Sequence, residues 1–138
     1  MKILTTEQMR QLERQADAAG LSFAAMMENA GRAVAAEISR RYDMTGRRVL
    51  VLVGTGNNGG DGLVTARYLH EAGAQVTVYL AKRRDPDADI NLRLVEDRGL
   101  QCLLAEQDAS CTALSAALQE ADFVIDALLG TGVSRPVE

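Results

Sequence analysis

Val49-Leu50-Val51-Leu52-Val53, running straight into Gly54-Thr55-Gly56-Asn57-Asn58-Gly59-Gly60-Asp61-Gly62, decides how this chain folds. The unbroken β-branched and leucine run lies between Gly46 and Gly54, as expected for a strand over 47–53 that is buried on both faces. A strand closed by G-x-G-x-x-G and opening into a helix is the first half of a βαβ unit. Leu63, Ala66 and Leu69 supply that helix, predicted from about residue 61 to 72 and stopped by Gly73.

Working outward, QVTVYL over 75–80 reads as the second strand, 88–98 as a helix ending at Gly99, and 100–104 as a short strand. A helix over 110–119 and a strand over 122–126 follow. Upstream, Thr5 and Gln8 form a capping box ahead of Met9, Leu12 and Ala16. Ser22 caps a second helix that carries Met26, Ala30, Val34 and Ile38 on one face. The expectation is an α/β fold: one domain over 1–138, a Rossmann-like three-layer αβα with a mainly parallel sheet, preceded by two N-terminal helices. Doubly wound sheets usually carry more than four strands, and Arg135-Pro136-Val137-Glu138 follows a loop. A C-terminally incomplete domain within a longer protein is therefore expected.

Composition excludes some classes. Fifteen Lys and Arg against nineteen Asp and Glu give a net charge of −4, unsuited to a nucleic-acid partner, whose phosphates need a basic face. No apolar run reaches the ~18–20 residues that cross a bilayer. Cys102 and Cys111 form no CxxC, and no His/Cys cluster fits zinc. Reduced thiols without a secretory leader point to a cytoplasmic protein.

The glycine block offers backbone amides and a helix N-terminus to an anion; its bland alternative is a tight turn that binds nothing. Asp61 speaks against a pyrophosphate beside it, since like charges repel in a poorly screened pocket. It suits a hydroxyl, a ribose, a cation, or the capping of its own helix. Asp126 falls at a strand's C-terminal end, where open parallel sheets bind ligands, so it and Asn57 or Asn58 are expected to converge there. Gly130-Thr131-Gly132-Val133-Ser134-Arg135-Pro136 adds backbone donors, a hydroxyl and a guanidinium. The basic run Lys82-Arg83-Arg84 reads as a solvated loop or, in an NADP-dependent oxidoreductase, as a 2′-phosphate anchor. His70 is read as solvated, and Met26 and Met27 as core.

Met27-Glu28-Asn29-Ala30-Gly31, the glycine block with Leu63-Val64-Thr65-Ala66-Arg67 behind it, and Asp126-Ala127-Leu128-Leu129-Gly130-Thr131-Gly132 with Arg135-Pro136 occur in that order. Together they resemble the NAD(P)H-hydrate epimerase family, the YjeF N-terminal domain, over essentially the whole chain. The resemblance implies epimerisation of the R and S hydrates of NADH and NADPH, a potassium ion, a homodimer, and fusion to a C-terminal dehydratase. It makes Asn58 and Asp126 potassium ligands. Asn57, Asn58, Gly59, Gly60, Asp61, Gly130, Thr131, Gly132, Val133, Ser134, Arg135 and Pro136 become the substrate's site, and Asp126 the catalytic residue. The family pattern continues into a D-I-P-S-G-like segment that these 138 residues lack, so an incomplete site is expected. The alternatives are the oxidoreductase and a non-catalytic Rossmann-like interaction module.

Overall fold

The computed structural model describes residues 3–132. Its elements are α1 (Thr6–Ala18), α2 (Phe23–Arg41), β1 (Arg48–Val53), α3 (Asn57–Glu71), β2 (Gln75–Leu80), α4 (Ile90–Asp97), β3 (Gln101–Leu104), a 3₁₀ turn (Ala105–Gln107), α5 (Thr112–Glu120) and β4 (Phe123–Ala127). Two helices precede the first strand, and each later pair of strands is joined through a helix, as the sequence predicts.

All pairings are parallel, and the sheet order is β3-β2-β1-β4. Val49, Val51 and Val53, with Val76, Val78 and Leu80, face Leu63, Ala66 and Leu69 of α3 and Leu92 and Val95 of α4 in one core cluster. Alternation along the strands sends Leu50, Leu52, Tyr79, Val124 and Asp126 to the other face, where α5 lies. Asp108 caps α5 by accepting from the amides of Ala113 and Leu114, and it accepts a further bond from the Tyr79 hydroxyl. The chain adds β2 and β3 on one side of β1 and β4 on the other. The order therefore reverses between β1 and β4, and a ligand crevice is expected beyond their carboxyl ends.

Two helical readings need correction. α3 begins at Asn57, not near Asp61, with Gly56 as N-cap, so Asn57-Asn58-Gly59-Gly60 is helix. Propensity argued otherwise, because Asn and Gly are poor helix formers; packing overrides it. α2 is turned from the face carrying Ala30 and Val34, both exposed, to one carrying buried Gly31 and Ala35. The cause is closeness: a Cβ on Gly31 would stand 2.5 Å from the Val64 Cβ and 2.7 Å from the Asp61 carbonyl oxygen. Thr65 seals the crossing by donating to the Gly31 carbonyl at 3.2 Å. Below it, Glu28 accepts from Arg67 and Tyr68. The Thr5–Gln8 capping box forms, yet α1 buries no residue, and Met9 and Leu12 stay open to solvent.

Among the described residues no helix is long and apolar enough to cross a membrane. Both cysteines are free thiols, and burial pushes the Cys102 thiol up to about 11.

Candidate functional site

The glycine block is a packing device before it is anything else. A Cβ on Gly54 would meet the Leu128 carbonyl oxygen at 1.9 Å, and one on Gly59 the Gly54 carbonyl oxygen at 2.2 Å. Gly60 lies under the Met27 sulfur and Gly62 under Ala127. These four glycines let the first turn of α3 settle against β1, β4 and α2. Gly56 alone of the five has open space at the position of a missing side chain. It leaves the N-terminus of α3 without a side-chain cap and without an acidic residue in its first turn, the arrangement that receives anions.

The loop after β1 and the loop after β4 meet. The Gly54 amide donates to the Ala127 carbonyl at 3.0 Å. Asn58 Nδ2 donates to the Leu129 carbonyl at 3.0 Å, and Gly130 lies against the Asn58 side chain. Donation through Nδ2 leaves the amide oxygen Oδ1 free to accept. Asp126, exposed at the same rim, takes the Leu128 amide on one carboxylate oxygen at 3.0 Å. Its β1 partner is Leu52, so it leaves the sheet on the side opposite α3. The expected convergence is therefore between Asn58 and the residues that follow Asp126, around the rim between β1 and β4.

Asn57 is exposed, whereas Asn58 is partly buried. Gly59 and Gly60 are buried by the packing above, and Gly130, Thr131 and Gly132 are exposed turn residues. Val133, Ser134, Arg135 and Pro136 lie outside the described residues. Asp61 does not cap α3, because it falls in the second turn. It shares the Asn58 face, three residues on. Burial raises its carboxyl above the ordinary range, and the negative charge of Glu13 on α1 raises it further.

Arg84 departs from the solvated-loop reading. Its guanidinium donates to the Gly54 carbonyl at 2.6 Å and the Gly56 carbonyl at 3.3 Å, and pairs with Asp89, which also caps α4. It is thus a clamp on the glycine loop. The adjacent basic residues Lys82 and Arg83 remain exposed. Met27 sits at the site's edge rather than in the main core, with its sulfur accepting from Asn91 Nδ2. His70 is exposed, as read from the sequence.

No group of three or more His, Cys, Asp or Glu suited to a metal occurs among the described residues. The Asn58 amide oxygen and the second Asp126 carboxylate oxygen are hard donors, of the kind that hard cations take. A depression of about 380 Å³ lies beside the glycine loop, lined in part by Met27, Thr55 and Arg83. A groove of about 410 Å³ lies elsewhere, between α5 and the amino ends of the strands.

The family described as YjeF-related protein N-terminus matches residues 23–138. A bifunctional NAD(P)H-hydrate repair enzyme Nnr of Moorella thermoacetica is 39% identical over 138 residues, covering 96% of this chain and 26% of that protein. An NAD(P)H-hydrate epimerase of Rhodobacter capsulatus is 40% identical over 148 residues, covering 99% of this chain and 65% of that protein. The chain therefore spans from about a quarter to just under two thirds of these relatives' length. The crystal structure of yeast ynu0, YNL200c, matches with a TM-score of 0.83 at 24% identity, over 100% of this chain and 60% of that one, a likeness of fold. Since the family match takes in the glycine loop, both helices of the Gly31 crossing and the strand that carries Asp126, the chain belongs to the family of YjeF-related protein N-termini.

Proposed function

We propose that this chain is the epimerase part of a nicotinamide-nucleotide repair enzyme, interconverting the R and S hydrates of NADH and NADPH. The carrying observation is the junction of two loops at the switch point, Asn58 to Leu129, in a chain whose relatives bear that activity in their names. The uncapped N-terminus of α3 suits the pyrophosphate, because Asp61, which argued against one there, falls in the helix's second turn rather than its first, and the rim suits the hydrated ring.

The hydrate is a carbinolamine. A proton delivered to its hydroxyl lets the ring-nitrogen lone pair expel water and form a cationic ring. Water then adds to the opposite face and gives up a proton, so atoms and charge balance. One positioned carboxylate can deliver and recover that proton. Asp126 is assigned the role, since its second oxygen has no hydrogen-bond partner among the described residues. A potassium ion is proposed at the same rim, where Asn58 and the Asp126 carboxylate would hold it, and it would supply fixed positive charge that orients water and phosphate. The Asn58 Nδ2 bond to Leu129 supports this role, because it leaves the amide oxygen as the group's acceptor.

A dehydratase region fused downstream is proposed from relatives named bifunctional, of which this chain matches about a quarter. A homodimer is proposed from the open apolar side chains of α1 and α2, and the cytoplasm from the free thiols. In the longer protein, Asp126→Ala is expected to slow epimerisation by at least ~100-fold, as loss of an acid–base group does. Following the R-to-S ratio of hydrated NADPH by chromatography measures this; an unchanged rate removes Asp126 from catalysis.

A further inference from the structure

The depression of about 380 Å³ beside the glycine loop is not explained by the ring chemistry at the β1–β4 rim. Met27, Ala88 and Ile90 give it an apolar side, with Ile90 47% exposed. Thr55 and Arg83 give it a hydroxyl and a cation, both exposed. It sits where β2 ends, on the far side of the glycine loop from Asp126.

The charges along it are not equivalent. Arg84 and Asp89 neutralise one another, and Arg84 is further held by the Gly54 and Gly56 carbonyls. Asp85 turns one carboxylate oxygen to the Asp87 amide at 3.0 Å. Arg83 makes no ion pair among the described residues. Of the three consecutive basic residues, Arg83 is thus the one that lines the depression and has no commitment to the loop.

We propose that this depression takes the adenosine end of the dinucleotide, its base against Met27, Ala88 and Ile90, with Arg83 as the residue that favours a 2′-phosphate. The inference rests on the dinucleotide reading above. With the pyrophosphate at the start of α3, the adenosine half is directed toward β2 and the nicotinamide half toward β4, since the two loops flank that helix start. An arginine after the second strand is suited to a ribose 2′-phosphate, which it can grip with two parallel hydrogen bonds. Asp85 keeps the local field from being strongly positive, so the discrimination is modest, about tenfold for one charge-assisted contact.

Two unreactive probes test this in the full-length protein: ADP-ribose and 2′-phospho-ADP-ribose, titrated by calorimetry. The expected result is binding of both, with the phosphorylated probe about tenfold tighter, and loss of that preference in Arg83→Ala with ADP-ribose affinity unchanged. Equal affinity for the two probes, or a preference that survives Arg83→Ala, overturns the assignment while leaving the dinucleotide reading intact. Binding of neither probe defeats both. Ile90→Asp is the second variant: it should weaken both probes alike, and unchanged affinity would remove the base from this wall.

Discussion

Asp61 lies in the second turn of α3 and Arg84 clamps the carbonyls of the glycine loop, and the two are not equally legible in the sequence. Asp61 is legible as an acid inside the glycine block; its charge state is not, because burial and Glu13 reach it only through the fold. A carboxyl whose pKa is raised on folding binds its proton more tightly in the native state. Its stabilising contribution is present below the unfolded value near ~3.9 and is lost as pH rises through the raised value. Asp61→Asn should therefore raise the thermal midpoint at pH 7, with the gain shrinking as pH falls toward about 4. Melts at both pH values check this, and a gain independent of pH would contradict it. Arg84 could not be ranked above Lys82 or Arg83 from sequence, since its partners Gly54 and Gly56 lie 30 and 28 residues away.

Among the elements, β1 and β2 were plain because their continuous apolar runs match full burial. Leu63, Ala66 and Leu69 mark α3, but its start at Asn57 is hidden, since Asn57-Asn58-Gly59-Gly60 argues locally for a loop. The same bias toward large side chains places Ala30 and Val34 inward on α2, where they are exposed, although Ile38 of that face does pack against the core. Its contact is made by absence of side chain, at Gly31 against Val64 and at Gly60 against Met27. Gly31→Ala is accordingly expected to destabilise by about 1–3 kcal/mol, an overpacking cost, because backbone at Asp61 blocks simple relief. Denaturant titration measures the loss; no loss would mean that the α2–α3 crossing is looser than described. Gly60→Ala should cost less, because its obstacle is the flexible end of Met27.

For the whole molecule, strand alternation with helices dictated a parallel sheet, and the position of β4 beside β1 made the switch point. That is why a motif near residue 57 and another near residue 128 share one rim although some 70 residues separate them. What covers α1 was not legible: periodicity marks an apolar face and says nothing of its partner. Met9 and Leu12, three residues apart on that face, are 42% and 48% exposed. If α1 supports the proposed homodimer, Met9→Glu with Leu12→Glu should halve the mass of the full-length protein in light scattering. An unchanged dimer mass would place the contact elsewhere.

The central claim is that Asn58, in the first turn of α3, and Asp126, on β4, serve a single cation and nucleotide site. Crystals of the full-length protein grown with rubidium in place of potassium put this to the test through anomalous scattering. One peak bound by the Asn58 amide oxygen and the Asp126 carboxylate is predicted, lost in Asn58→Ala. A rim without a peak, or a peak that Asn58→Ala leaves in place, would contradict the account.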